Sequence, residues 1–395
     1  MEISVIIPTK DLPADVDLAL DGLSKQRRLP SEVIIIDSSR NDDVEKLLSA
    51  YNAKLNFQYH KCDSVLLPGE ARNKGLELCK SPVVAFLDSK TIPEIDWLEN
   101  SASMLESDDY NVIFGSTIYK AKTRWQKIFQ ASIYGKKPVE TLPGSLLTLE
   151  TAKKIGKFTE EVRAGEDQHW RSRIRRSSLR YHNPIKPNLS YYSISTSLGS
   201  ELRRHFIYQQ RAAKTDAQLY SKIFLLGISV TLLTLLAPNW NLLIGYKISL
   251  LYIPNVTKIY LFFMTSIYGL IFLFYQKRLA PNLPKFLIAT IVIAGFYIAV
   301  RWNAAITSSM DSILYFPHIT KIYLLSLLGA DFFYRGLISP LRKGSQLIDI
   351  MPFNWIIMGL ACCAVDIAKT LGYFIGAGIY LQRIVLAKIA KIFKS

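Results

Sequence analysis

From Ile223 onward the chain changes character: Ile223–Tyr246, Ile259–Gln276 and Phe286–Val300 carry no charged residue. Uncharged apolar stretches that approach about 20 residues can cross the hydrocarbon of a bilayer as helices. A chain holding several of them is not one soluble globule. Residues 1–222 instead mix charged and apolar positions, as a soluble domain does. The expected organisation is a cytosolic domain over 1–198 and a basic amphipathic interfacial helix over 199–222. About four transmembrane helices over 223–345 follow, then membrane-associated helices and a basic tail over 346–395.

Two weaker spans extend the pattern, Ser312–Ala330, interrupted by Lys321, and Ile350–Val365. Lys277, Arg278 and Lys285 lie between the second and third spans, and Arg335, Arg342 and Lys343 follow the fourth. Positive residues favour the cytosolic side, which places these loops with the N-terminal domain of an integral membrane protein. The opening Met1–Val5 has neither a basic n-region nor an apolar h-region, so that domain is expected to stay in the cytosol. In 199–222, Arg203, Arg204, Arg211, Lys214 and Lys222 alternate with Leu202, Phe206, Ile207 and Tyr208. That suits a helix on an anionic leaflet, or an ordinary solvated face. Gly372 and Gly376 have the small-xxx-small spacing of a close helix contact.

The net charge of +16 points to membrane lipids or phosphate-bearing substrates. Nucleic acid is not expected, because no motif for it is present. The four cysteines have no CxxC spacing, so neither a zinc site nor a disulfide framework is indicated.

Within the first 120 residues strands alternate with helices. Ile3–Ile7, Val33–Ile36, Phe57 with Tyr59, and Val83–Leu87 read as strands; Val16–Leu23, Val44–Leu48 and Ala71–Cys79 read as helices. This alternation implies βαβ units and a mostly parallel α/β sheet, whose ligands bind beyond the carboxyl ends of the strands. Lys10, Asp37 and Asp88 all follow such ends. Asp37 is placed to accept an imide N–H of a base, or to cap a turn. Arg72, at the start of a helix, can clamp phosphate in bidentate fashion or form a salt bridge. Six arginines between Arg163 and Arg180 suit a phosphate-bearing acceptor or a solvated face.

Seven stretches in order resemble the family 2 glycosyltransferases of GT-A (Rossmann-like) fold. They are Ser4-Val5-Ile6-Ile7-Pro8-Thr9; Leu20-x-x-Leu23-x-x-Gln26 with Pro30-x-Glu32-Val33-Ile34-Ile35-Ile36-Asp37; Pro68-Gly69-x-Ala71-Arg72-Asn73-x-Gly75; Phe86-Leu87-Asp88-Ser89-Lys90-Thr91-x-Pro93; Pro143-Gly144-Ser145; Ile155-Gly156-x-Phe158; and Gly165-Glu166-Asp167-x-x-Trp170-x-x-Arg173. The resemblance implies an inverting transferase with a nucleotide-diphosphate-sugar donor; composition and hydropathy imply its membrane anchoring, and a lipid-linked or glycan acceptor is expected. Pro8, Asp37, Arg72, Asp88 and Lys90 would hold the donor. Gly144, Ser145, Trp170 and Arg173 would face the acceptor, and Asp167 would be the general base, with Glu166 beside it. In family members both Asp residues of Asp-x-Asp place Mg²⁺ or Mn²⁺ on the diphosphate; here Lys90 replaces the second. Either Lys90 supplies that charge, or Asp88 still holds a metal with water and diphosphate oxygens. A degenerate site, leaving a non-catalytic nucleotide-sugar- or lipid-binding membrane protein, is the alternative.

Overall fold

The computed structural model describes residues 1–107, 109–160, 162–213 and 331–392, with positions 290 and 329. The spans expected from Ile223 to Ala330 lie outside them, as do the side chains of the basic tail beyond Gln382. The chain divides into two compact units, Met1–Lys222 with Phe332–Ser395, and Ile223–Asp331; nearly all described residues belong to the first.

The strands are β1 (Ile3–Thr9), β2 (Glu32–Asp37), β3 (Phe57–Lys61), β4 (Val83–Phe86), β5 (Thr91–Pro93), β6 (Val112–Tyr119), β7 (Val139–Thr148), β8 (Tyr181–His182) and β9 (Leu189–Tyr191). The helices are α1 (Pro13–Ser24), α2 (Asp43–Leu48), α3 (Pro68–Leu78), α4 (Trp97–Glu106), α5 (Arg124–Phe129), α6 (Leu149–Ile155), α7 (Glu166–Arg176), α8 (Leu198–Ala212), α9 (Ser339–Arg342), α10 (Leu347–Ile350) and α11 (Asn354–Ile392). One sheet runs β3-β2-β1-β4-β7-β6-β9-β5, with β8 beside β6. The β3-β2-β1-β4 half is parallel, as its unbroken apolar runs require of strands covered on both faces. Period-two alternation splits the core. Ile3, Val5 and Ile7 pack with α1, α2 and α4; Ile6, Ile34 and Phe86 pack with α3, α6 and α7. The sequence reading stops short of the antiparallel half: β7 pairs antiparallel with both β4 and β6, and the chain bulges between Ile113 and Gly115. Helix α3 begins three residues earlier than its apolar spacing suggests. Pro68 occupies its first turn, and the Glu70 carboxylate accepts the Leu67 N–H at 2.8 Å.

A third apolar cluster joins Ile128, Phe129 and Ala131 to Ile350, Met358 and Ala361, so the C-terminal helices dock on the N-terminal domain. Lys343 donates to the carbonyls of Ser132 and Ile133 at 2.8 and 3.1 Å, and Lys136 pairs with Asp349 at 2.6 Å. Helix α8 packs along α11. Its Glu201 is fully buried, where it accepts from the Tyr134 hydroxyl and from His205 at 3.0 Å; Arg204 lies 5.1 Å from the Tyr134 ring centre. Arg203 and Arg211 remain exposed. On α11, Asp366 is buried and paired with Arg335, with Lys369 at 3.8 Å. Residues Asn354–Tyr380 form the one helical stretch, among the described residues, that is long and apolar enough to cross a membrane.

The backbones of α8 and α11 meet at the two glycines with small-xxx-small spacing. A Cβ on Gly372 would lie 2.3 Å from the Phe206 carbonyl oxygen, and one on Gly376 would lie 2.1 Å from that of Gln210. Neither carbonyl is the end of a flexible side chain. Gly376→Leu is therefore expected to destabilise the protein by about 1–3 kcal/mol or more through overpacking. Gly378→Ala, which meets nothing within 4 Å, leaves the unfolding midpoint unchanged or raises it. Thermal unfolding of the two variants in detergent checks the contrast.

Candidate active site

The carboxyl ends of β1, β2 and β4 lie side by side, because Thr9 is in register with Asp37, Asp37 with Lys61, and Ile6 with Phe86. Pro8 and Thr9 close β1, and the Thr9 hydroxyl oxygen is buried without a hydrogen-bond partner. Asp37 closes β2 with no exposed surface. Its Oδ1 accepts the Ser39 N–H at 2.8 Å and the Ser39 hydroxyl at 2.5 Å. Its Oδ2 accepts the Tyr59 hydroxyl at 2.9 Å, with Lys61 Nζ at 3.6 Å. Burial and Asp37 together push the Tyr59 phenol well above its ordinary pKa. Ser39 in turn accepts the Asp11 N–H at 2.7 Å, and Asp11 Oδ1 accepts the Arg40 N–H at 3.1 Å. Asp37 thus stands at the strand end expected of a base reader, but its oxygens brace the loops after β1 and β2. A ligand would reach them only by exchange with Tyr59 or Lys61.

Arg72 is the centre of the second group. Only 3% of it is exposed. Nη2 donates to Asp88 Oδ1 at 2.8 Å and Nη1 to Glu166 Oε1 at 3.0 Å. Its guanidinium lies 5.7 Å from the centre of the Phe158 ring. Phe158 stacks on Trp170 at 4.8 Å, and Phe86 meets both rings edge-on. Each named residue of the Ala-Arg-Asn-x-Gly segment contributes to this arrangement. Ala71 enters the core beside Phe86. Asn73 donates to the Phe158 carbonyl at 3.0 Å and accepts the Phe158 N–H at 2.8 Å, which fixes the chain ahead of α7. Gly75 lets α3 approach β1, since a Cβ there would lie 2.5 Å from Ile6. Burial works against the charge of Arg72, yet Asp88 and Glu166 outweigh it and raise its pKa. Burial pushes the Glu166 carboxyl up, Arg72 pulls it back in part, and the net direction is up.

Asp167 follows in the first turn of α7, its side chain 30% exposed and 3.6 Å from Arg171. Among the six arginines near it, Arg171, Arg173 and Arg175 are held by the protein. Arg171 and Arg175 pair with Glu140 at 2.8 and 2.6 Å, and Arg173 donates to the Lys157 carbonyl at 2.5 Å. Of the residues expected on the acceptor side, Trp170 is fully buried under the Phe158 ring and donates to the Gly156 carbonyl at 3.0 Å. Ser145 is also fully buried; it donates to the Thr141 carbonyl and accepts the Gly115 N–H, both at 3.1 Å. The Gly144 carbonyl accepts from the Trp97 indole at 2.9 Å. Gly144 and Ser145 thereby shape the β6–β7 bulge, and Trp170 and Arg173 seat α7. Arg72, Asp88, Glu166 and Asp167 are the residues brought together. Tyr59, Lys61, Ser39 and Asp11 escape a sequence reading. The register of adjacent parallel strands is the signal that could have found Tyr59 and Lys61.

The donor set does not fit a divalent cation. Oδ1 of Asp88 is taken by Arg72, a lysine stands at the second Asp-x-Asp position, and no group of three or more His, Cys, Asp or Glu suited to a metal exists among the described residues. Hard cations take several oxygen ligands.

Replacing Arg72 by Met strands Glu166 as a buried charge, and loss of one partner of a buried pair costs about 3–5 kcal/mol. The loss is pH-dependent. A carboxyl whose folded pKa is raised binds more protons folded than unfolded, so stability falls as pH climbs from the unfolded value through the folded one. Without Arg72 that rise is larger. Chemical denaturation should therefore show Arg72→Met further below the parent protein at pH 8 than at pH 5, and Glu166→Gln should recover part of the difference.

The model of "Glycosyl transferase family 2" matches residues 4–163. The chain is 32% identical to a hyaluronan synthase from Pasteurella multocida over 114 residues, 28% of this chain and 12% of that one. It is 22% identical to the glycosyltransferase AglE from Haloferax volcanii over 183 residues, 43% and 60% of the two chains. It thus spans less than two thirds of either relative. Among solved structures, a mannosyltransferase from Pyrobaculum calidifontis in complex with GDP-Man and Mn²⁺ aligns with a TM-score of 0.45 at 14% identity, over 93% of this chain and 86% of that one. Over residues 4–163, then, this chain is similar to glycosyl transferase family 2.

Proposed function

We propose that the chain is a membrane-anchored inverting glycosyltransferase. It would move a sugar from a nucleotide-diphosphate donor to a lipid-linked or membrane-proximal acceptor at the cytosolic face. The observation that carries this reading is the Arg72 bridge. It holds Asp88 and Glu166 at the carboxyl edge of the sheet, with Asp167 next in the chain and partly open to solvent. In the reaction the acceptor hydroxyl oxygen attacks C1 of the sugar. The bond from C1 to the diphosphate oxygen breaks, and the nucleoside diphosphate leaves with that electron pair. Asp167 takes the hydroxyl proton, general-base work worth about 10²–10⁴-fold. Attack opposite the leaving group inverts C1. Glu166, held by Arg72, positions the first turn of α7 and with it Asp167.

Membrane anchoring draws on the uncharged stretches between Ile223 and Val300 and on α11. The outer face of α11 exposes Leu360, Ile367, Leu371 and Phe374, while Met358, Ala361, Cys362 and Val365 face the domain. Relatives named as synthases and glycosyltransferases favour a transferase. Replacement of the second Asp by Lys90 favours a second reading, a non-catalytic nucleotide-sugar-binding membrane protein.

Asp167→Asn should lower release of nucleoside diphosphate from UDP- or GDP-sugars by about 10² or more, with nucleotide affinity within about threefold of the parent. A variant that keeps full turnover removes Asp167 from the base role. A parent protein that binds nucleotide but turns over no donor supports the second reading.

A further inference from the structure

The carboxylates at the strand ends are committed to the protein. Asp37 is held by Ser39, Tyr59 and Lys61, and Asp88 and Glu166 are both held by Arg72. Two cations there are uncommitted. The amines of Lys10 and Lys90 make no hydrogen bond or ion pair among the described residues, and both side chains are half-buried. Their placement is matched. Strands β1 and β4 are adjacent and parallel, with Ile6 opposite Phe86 as the last paired residues. Lys10 leaves β1 four residues past that pair, and Lys90 leaves β4 at the same remove. The turn carrying Lys90 is fixed, because Thr91 donates to the Asp88 carbonyl through its N–H at 2.9 Å and its hydroxyl at 2.7 Å. The loop carrying Lys10 is fixed by the Asp11–Ser39 and Asp11–Arg40 hydrogen bonds.

Two half-buried lysines that follow adjacent parallel strands at the same remove, with no ion pair among the described residues, suit a dianion. The diphosphate of a nucleotide-diphosphate sugar, esterified at both ends, is such a dianion. Ammonium groups bind phosphate as point charges, and withdrawal from bulk water strengthens the attraction. Resting on the transferase reading above, we infer that Lys10 and Lys90 clamp the donor diphosphate and carry the charge of the leaving nucleotide without a divalent cation, while Asp88 serves to hold Arg72.

The test is calorimetric titration of the full chain in detergent with UDP, GDP and dTDP, each in Mn²⁺ and in EDTA. The expected result is one preferred nucleotide whose Kd differs by less than about threefold between the two buffers. Lys90→Gln and Lys10→Gln should each weaken it by about tenfold in EDTA, a shift of about 1.4 kcal/mol. Lys90→Arg, which keeps the charge, should bind within a few-fold of the parent and guards against a folding defect in the Gln variant. Lys90→Asp should bind only with Mn²⁺. Binding by the parent in Mn²⁺ alone, or unchanged affinity in both Gln variants, overturns the lysine clamp and leaves the transferase reading intact. No binding of any nucleotide in either buffer overturns both.

Discussion

The guanidinium of Arg72 is the piece around which the site is assembled. It is almost wholly buried, and a buried charge survives only where paired and hydrogen-bonded. Its two partners come from different parts of the chain, Asp88 after β4 and Glu166 at the start of α7. The pairing therefore ties three elements to one point. The aromatic group beneath it, Phe158, Trp170 and Phe86, excludes water and strengthens both ion pairs. Asp167 inherits its position from this arrangement, because the residue before it is the one Arg72 grips.

Around that centre the protein uses carboxylates as braces. Asp37 joins the loops after β1 and β2 through Ser39 and Asp11, and Glu140 gathers Arg171 and Arg175. Much of the arginine density of α7 is thereby neutralised internally. The unspent positive charge at the sheet edge is lysine, at the ends of β1 and β4. Lys10 and Lys90, without an ion pair among the described residues, are the basis of the proposed anion site.

The C-terminal segment belongs physically to the N-terminal domain. Its apolar residues around Ile350 and Met358 complete a cluster begun by α5, and Lys343 donates to carbonyls of the π-helical turn Gln130–Tyr134. Helix α11 buries one face on α8 and leaves an apolar face outward. One helix can thus serve as a wall of the domain and present hydrocarbon away from it.

Much of the fold was legible because it is written locally. The runs Ile3–Ile7 and Val33–Ile36 are continuous and β-branched, and α1 repeats its apolar residues every three or four positions. The apolar runs ending at Ile7, Ile36 and Leu87 set Lys10, Asp37 and Asp88 at the edge where such sheets bind ligands. The antiparallel half was not legible, since β7 pairs across long separations and its Gly144-Ser145 pair reads the same whether it lines a site or shapes a bulge. Nor was the fate of Trp170, because an aromatic at helical spacing suits either a core or a pocket.

The sequence by itself determined the parallel strands, the residues at their carboxyl ends, the uncharged stretches beyond Ile223 and the lysine at position 90, all properties of neighbours along the chain. Only the tertiary structure decided that Arg72 meets Glu166, 94 residues away, that Asp37 is consumed by Tyr59 and Lys61, and that Gly372 and Gly376 receive α8. A charge pair or a backbone contact depends on distance in space. That distance is set when the helices close over the sheet, and spacing along the sequence does not contain it.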